Sequence, residues 1–299
     1  MPSSTRPFTP AAGGSWTAST NNAVQATSRY AANYRFGQLF GFSTRMRTAT
    51  SIAAVGSVGS TDCIRPWAVP YQTMLDILYP PANTVSAATY NLTSADVVRL
   101  AAMTTANNFF LKIGSASSGV VSGNFYGVRL PPILYANGTV GNPWSGGNNY
   151  SNALGYTCAQ LASAMAGQST NPNIGIGDWL QAENGNMAGP TGQGVAALCQ
   201  TAGNGGTTPA NASGNATFTC NVPVSIKMTM WATSGNAPGV SGCGGACFLV
   251  KYIGVFAVTG YTKGTGSNPD GVTGYFSALV TSGQFSGTPG PVKRIALVQ

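Results

Sequence analysis

The sequence predicts a β-rich α+β fold, mainly strands with a few short helices, an antiparallel C-terminal sheet and long loops rich in Gly, Asn and Ser. Residues 222–230 alternate between apolar and other side chains, the period of two that is typical of a strand with one buried face. Elsewhere, apolar stripes with helical spacing are short. The last third of the chain supplies the predicted sheet, because its composition indicates strands at 222–232, 247–261, 272–283 and 292–299.

The first half of the chain is predicted to be extended over most of its length. Residues 1–22 are rich in Ser, Thr, Pro and Gly and are expected to form a linker or an extended arm. From 23 to 58 the pattern indicates strands, with a helix over 27–40 as the alternative. Two further strands, joined by a Ser/Gly loop, are predicted at 108–114 and 123–130.

The predicted helices are short, and each has a local signal. Met74, Ile77 and Leu78 share one helical face, and Pro80 ends that helix. Ser94 is a suitable N-cap for the next one, which has an acid in its first turn. These patterns predict helices at the end of 65–80, at 94–103, at 150–165 and, after a loop, within 189–200.

The chain has no obvious domain boundary after its first residues. Its composition changes little from residue 23 onwards, and no internal repeat of fixed period is visible. We therefore expect residues 23–299 to form a single β-rich extracellular domain, with an inserted region of loops and helices at 131–221.

The composition is poor in charge. Only 7% of the residues are charged, 43% are hydrophobic and histidine is absent. This combination argues against disorder, since disordered chains combine low hydrophobicity with high charge. The net charge of +8 comes from 14 basic residues against 6 acids, without the dense basic patch typical of nucleic-acid binding. We therefore predict no nucleic-acid partner.

The cysteines indicate export. An even number of them in a histidine-free chain rich in hydroxyl groups favours disulfides formed outside the cytosol. Cys158 and Cys199 flank the glycine-rich segment 174–198, and we expect this pair first. Cys243 and Cys247 are predicted to form a tight local disulfide, or two separate ones, because their spacing and the lack of histidine argue against zinc. The six disulfide candidates are Cys63, Cys158, Cys199, Cys220, Cys243 and Cys247.

No stretch has the roughly eighteen apolar residues of a membrane span. The nearest, 247–258, is interrupted by Lys251 and is predicted to be a buried strand. The N-terminus lacks the apolar core of a signal peptide. We expect an extracellular or cell-surface protein whose anchor and export signal are absent from this sequence.

Two acids in the segment 174–198 are the candidates for chemistry. Asp178 and Glu183 lie five residues apart, and as a carboxylate pair they could act as in a glycosidase. They could instead bind Ca²⁺ with Asn184 and Asn186. We favour a structural role, in which Asp178 caps a turn and Glu183 pairs with an arginine or accepts backbone N–H groups. Since the usual base is absent, we predict no catalytic residue and no cofactor, with Ca²⁺ as the alternative ligand.

Several motifs in a fixed order resemble one family. The segment 23–55 is similar to the part of TadG-like proteins, of the tight-adherence (Flp) pilus system, that precedes their extracellular region. Five further motifs of this chain resemble the extracellular region of those proteins: DCIRPWAVPY (62–71), SGNFYGVRL (122–130), GGNNYSNALGYTC (146–158), IGIGDWLQAENGNMAGPTGQGV (174–195) and the closing VTGYFSALV…VKRIALVQ. Such proteins usually begin with a membrane-spanning helix and a pilin-like helical region, which this chain lacks. The resemblance implies pilus assembly or adhesion and supplies no catalytic residues.

The leading functional hypothesis is therefore an exported, non-enzymatic structural or adhesive component of a surface pilus or filament, contacting like or related subunits. The alternative is a cell-surface module that binds carbohydrate or depends on calcium, for which the loop aromatics Trp144 and Tyr150 are candidate glycan contacts, although packing is the favoured role for both. A third hypothesis is a secreted hydrolase that uses Asp178 and Glu183.

Overall fold

The computed structural model describes residues 22–33, 44–82, 84–114, 124–169, 171–185, 187–201, 216–243, 246–265, 269–280, 284–286 and 292–298, of which 22–58 and 279–298 are described by their backbone alone. Residues 1–21 of the predicted arm lie outside this part. The chain divides into two compact units, one of Met1–Gly56 with Arg294–Gln299 and one of Ser57–Lys293.

The described strands are β1 (Asn22–Asn33), β2 (Thr44–Thr61), β3 (Ile64–Pro70), β4 (Phe109–Ile113), β5 (Asn124–Gly127), β6 (Ile174–Gly175), β7 (Trp179–Gln181), β8 (Phe218–Gly235), β9 (Cys247–Thr262), β10 (Gly271–Ser277), β11 (Leu279–Val280), β12 (Gln284–Ser286) and β13 (Val292–Val298). The described helices are α1 (Tyr71–Leu78), α2 (Ser94–Ala101), α3 (Gly147–Gly155), α4 (Cys158–Ala166) and α5 (Ala188–Thr201). The predicted β-rich fold with short helices and an antiparallel C-terminal sheet is confirmed.

The smaller unit is built on an antiparallel hairpin. β1 pairs with β2 from Asn22 opposite Val55 to Asn33 opposite Thr44. The extended conformation predicted for this part of the chain is confirmed, and the helical alternative is wrong over 27–33. Residues 34–40 of that alternative lie outside the described part.

The larger unit is organised by a sheet that closes on itself. Its strands follow one another in the order β10, β4, β5, β3, β8 and β9, and β9 pairs again with β10; β7 pairs with β9 as a side branch. The C-terminal pairs β8–β9 and β9–β10 are antiparallel, whereas β3–β8 and β4–β5 are parallel. Within the same unit, the end of β2 pairs with β6, with Ser60 opposite Gly175.

Apolar clusters cover both faces of the central strands. On β9, Tyr252 and Phe256 belong to one buried cluster, while Ile253 and Val255 belong to a second. Because neighbouring strand residues point to opposite faces, β9 is buried on both sides. This explains why 247–258 is a nearly continuous apolar run, and the predicted buried strand is confirmed.

The single helix predicted at 150–165 is wrong, because two helices occupy this stretch. α3 ends at Gly155 and α4 begins at Cys158. Between them Thr157 accepts the backbone N–H of Gln160, and the Gln160 side chain accepts the N–H of Thr157. This capping box starts a new helix within a stretch whose apolar stripe is continuous in the sequence. In α2 the cap is Thr93, one residue before the predicted Ser94.

Gly194 allows α5 to pack closely on α3. A Cβ atom at this position would lie 2.6 Å from Leu154 Cβ and 2.9 Å from the Ser151 carbonyl oxygen. We expect Gly194→Ala to lower the free energy of unfolding by about 1–3 kcal/mol through overpacking, measured by denaturant titration. Gly189→Ala in the same helix is the control, because nothing lies within 4 Å of its added Cβ. Equal stability of the two variants would contradict the close packing.

Candidate functional site

Asp178, the first candidate acid, stabilises the turn between β6 and β7. Its Oδ2 atom accepts the backbone N–H of Gly175 at 2.7 Å, and its Oδ1 atom accepts that of Ala136 at 2.8 Å. Gly177, within the turn, has a φ of +91°, which glycine adopts without strain. The buried carboxylate therefore caps a turn and fixes the neighbouring loop to it.

Glu183, the second candidate acid, lies after β7 and has different partners. Its Oε2 atom pairs with Arg129 Nε at 3.3 Å, and its Oε1 atom accepts the backbone N–H of Gly146 at 3.0 Å. The Glu183 side chain is 2% exposed and that of Arg129 is 17% exposed. Arg129 Nη1 also donates to Gln181 Oε1 at 3.2 Å. These contacts hold the start of α3 and the segment after β5 against β7.

Burial raises the pKa of both acids. For Asp178, the N–H groups of Ala136 and Gly175 offset part of the desolvation but leave the pKa above its ordinary value. For Glu183, the nearby charge of Arg129 and the N–H of Gly146 likewise offset burial only in part. Both acids have the contacts that the structural interpretation expects: a turn cap for Asp178, and an arginine with a backbone amide for Glu183.

The structure does not bring these two acids onto one shared partner. Asp178 contacts the loop before α3 and the end of β6, whereas Glu183 contacts Arg129 and the start of α3. Of the suggested calcium ligands, Asn184 is exposed and Asn186 lies outside the described residues. Within the described ranges, no three His, Cys, Asp or Glu side chains are grouped as metal ligands.

Tyr150, suggested as a glycan contact on a loop, lies in α3 and is fully buried, so that suggestion is wrong. Its hydroxyl accepts the indole N–H of Trp67 at 2.8 Å and lies 3.0 Å from Thr191 Oγ1. The apolar stripe of α3 orients it inward, with Leu154 on the same face. Trp144 is half-buried against the second apolar cluster. Packing, the favoured role for these two aromatics, is what the structure shows.

The three disulfides of the described part differ from the expected pairing in one respect. Cys63 pairs with Cys158 and Cys199 pairs with Cys220, so the expected Cys158–Cys199 bond is wrong. Position along the chain does not indicate which cysteines the tertiary fold brings together. The local Cys243–Cys247 disulfide is present as expected.

A hydrogen-bond network around the buried Asp96 was not singled out from the sequence. The carboxylate accepts hydrogen bonds from the Tyr79 hydroxyl, from the Tyr90 hydroxyl at 2.8 Å and from the Thr93 backbone and hydroxyl, each at 2.8 Å. Burial alone would raise the pKa of Asp96, but these hydrogen bonds together lower it. The signal was the Thr-x-x-Asp spacing of a capping box.

Two lysines of the central strands, the buried Lys227 and the half-buried Lys251, are also held by protein groups. Lys227 Nζ donates to Thr61 Oγ1 at 2.9 Å and pairs with Asp62 Oδ1 at 3.0 Å. Lys251 Nζ donates to the carbonyl oxygens of Ala87 and Tyr90 at 2.6 and 3.0 Å. Burial lowers the pKa of both lysines. These charges link strands to neighbouring segments.

A polar cavity of about 250 Å³ lies beside Asp178. Tyr135, three asparagines and the paired backbone of β2 and β6 contribute to its walls. This cavity could not be predicted from the sequence, because its walls come from three segments that are distant along the chain.

The helices in the described ranges are all too short or too polar to cross a bilayer. Comparison of the chain with protein-family models, with curated proteins and with solved structures found no match.

Proposed function

We propose that the chain is an exported structural component of a surface pilus or filament, of the TadG-like type that its motifs resemble, and that it contacts like or related subunits. The observation that carries this proposal is the set of three disulfides in the described part. Such cross-links persist in oxidising compartments and are rare in the cytosol. They suit a protein that keeps its shape outside the cell without chaperones.

The positions of the disulfides support a structural role. Cys63–Cys158 connects the start of β3 to the start of α4, and Cys199–Cys220 connects α5 to β8. Cys243–Cys247 closes the turn that precedes β9. Each bond thus links a strand of the closed sheet, or the residue next to one, to a neighbouring helix or turn, and resists separation of these elements under load.

The roles of the charged groups also support it. Asp96, Asp178 and Glu183 each hold backbone or side-chain donors, and their contacts stabilise turns and helix ends. With only 7% charged residues in the sequence, a subunit interface would bury few charges. The desolvation cost of association is correspondingly small.

The proposal is tested on the native host. Filaments sheared from the cell surface are purified and labelled with antibody against this chain, and a strain lacking the gene is the control. We expect the chain to copurify with the filaments and to be labelled along them by electron microscopy. Recovery of the chain only as a dispersed monomer in the medium, with normal filaments in the deletion strain, would contradict the proposal.

The calcium alternative has a separate test. Two backbone N–H groups compensate the Asp178 carboxylate and Arg129 compensates Glu183, and the described residues hold no group of three His, Cys, Asp or Glu ligands, so we expect no cation requirement. The melting temperature should be the same in millimolar CaCl₂ and in excess chelator. If CaCl₂ raised the melting temperature, and Asp178→Asn abolished that increase, the calcium-dependent module would be favoured.

A further inference from the structure

The cavity beside Asp178 has walls with polar side chains that the fold leaves partly unused. Its lining includes Asn137, Asn171 and Asn173 together with Tyr135 and the Asp178 carboxylate. All of these residues belong to the larger unit. A group of amides around a concave surface can bind a polar ligand, because each amide has N–H donors and a carbonyl acceptor.

The asparagines present N–H donors. Asn137 Oδ1 accepts the backbone N–H of Thr139 at 3.0 Å, and Asn171 Oδ1 accepts that of Asn173 at 3.0 Å. These bonds use the oxygen of each amide and leave its NH₂ group for a ligand or for water. Asn173 is half-buried and its side-chain amide makes no described hydrogen bond.

The acceptors come from Asp178. Each of its carboxylate oxygens receives one backbone N–H, from Ala136 and from Gly175, and each retains a further lone-pair position. The negative charge disfavours anionic ligands.

The wall is held in place before any ligand arrives. The Tyr135 hydroxyl donates to the Asn171 carbonyl oxygen at 2.7 Å and lies 2.8 Å from Ser169 Oγ. The Ile176 N–H donates to the Gly59 carbonyl oxygen at 2.8 Å. A preorganised wall reduces the entropy lost on binding.

We propose that this cavity binds one ring of a neutral saccharide. Sugar hydroxyls both donate and accept, so they match a cavity whose lining contains asparagine NH₂ donors and a carboxylate acceptor. The volume of about 250 Å³ lies just below the roughly 300–1,000 Å³ of ordinary ligand pockets and suits one ring rather than a long chain. The saccharide site does not depend on filament assembly, so the two proposals are tested independently of each other.

Ligand-observed NMR with the purified chain tests the proposal. The probes are glucose, galactose and N-acetylglucosamine, with glucuronate as the charged comparison. We expect saturation transfer to at least one neutral sugar and markedly weaker transfer to glucuronate. Absence of transfer to all three neutral sugars, or binding of glucuronate as tight as that of glucose, would overturn the assignment.

Variants locate the binding. Asn173→Leu and Asn137→Leu should each raise the dissociation constant about tenfold, since each removes one donor. Asn137 lies in an exposed turn, so its variant folds even if the half-buried Asn173 variant does not. Asn152→Leu on α3 is the matched control, because it replaces an exposed asparagine outside this cavity. Unchanged binding in the Asn137 variant, or equal weakening in the control, would refute the site.

Discussion

Removal of the Cys63–Cys158 disulfide is expected to lower the free energy of unfolding by about 4–5 kcal/mol. These cysteines are 95 residues apart, and a cross-link that closes a long loop removes much conformational entropy from the unfolded chain. The measurement is denaturant unfolding of the Cys63→Ala/Cys158→Ala protein, purified with its other disulfides intact.

The Cys243→Ala/Cys247→Ala protein is the matched control. Its cysteines are 4 residues apart, so the same relation gives a loss of only about 2 kcal/mol. Each double variant removes one disulfide, and the two bonds differ chiefly in the length of the loop that they close, 95 residues against 4. Equal losses would show that loop length does not govern these cross-links, and a stable protein without Cys63–Cys158 would remove the structural role assigned to that bond.

Replacement of Arg129 by Met is expected to cost about 3–5 kcal/mol at pH 7. The change leaves the Glu183 carboxylate, 2% exposed, without its cation. The pKa of Glu183 is higher in the folded chain than in the unfolded chain, so folding favours the protonated carboxyl group. Protonation of Glu183 therefore contributes stability that is fully present below the pKa of the unfolded chain and is lost as the pH rises through the pKa of the folded chain. The deficit of the variant should therefore shrink as pH falls towards 4.

Lys112→Met is the control for this prediction, since Lys112 is an exposed cation on β4. It should change stability by less than about 0.5 kcal/mol and with no pH-dependent recovery. If Arg129→Met were as mild as this control, the Arg129–Glu183 pair would not hold the segment around β7. The unfolding free energies of both variants, measured at several pH values, distinguish these outcomes.

The fold class could be predicted because strand period and burial agree in the C-terminal third. Along β8, Val224, Ile226, Met228 and Met230 are buried, as their alternation predicts, whereas Val222 at the edge of the pattern is 48% exposed. Element boundaries were harder. Cys63, between β2 and β3, has a φ of 55°, so the chain turns there without glycine or proline to mark it.

The site was only partly predictable. The kind of contact that Asp178 and Glu183 make could be predicted, because the chain has few acids and both lie in a glycine-rich segment. A buried carboxylate there needs hydrogen-bond donors, and backbone N–H groups are the nearest ones. Their partners could not be named, since Ala136 and Gly146 approach only after the loop before α3 has folded back. The cysteine pairing failed for the same reason, because the tertiary fold, and not the order along the chain, places Cys158 at the start of α4 beside Cys63.

The most direct test of an exported, cross-linked framework is a disulfide map of the protein isolated from its native host. Alkylation without reduction, followed by proteolysis and mass spectrometry, should find all six cysteines unmodified and linked as Cys63–Cys158, Cys199–Cys220 and Cys243–Cys247. Alkylated, free thiols at these positions would contradict it.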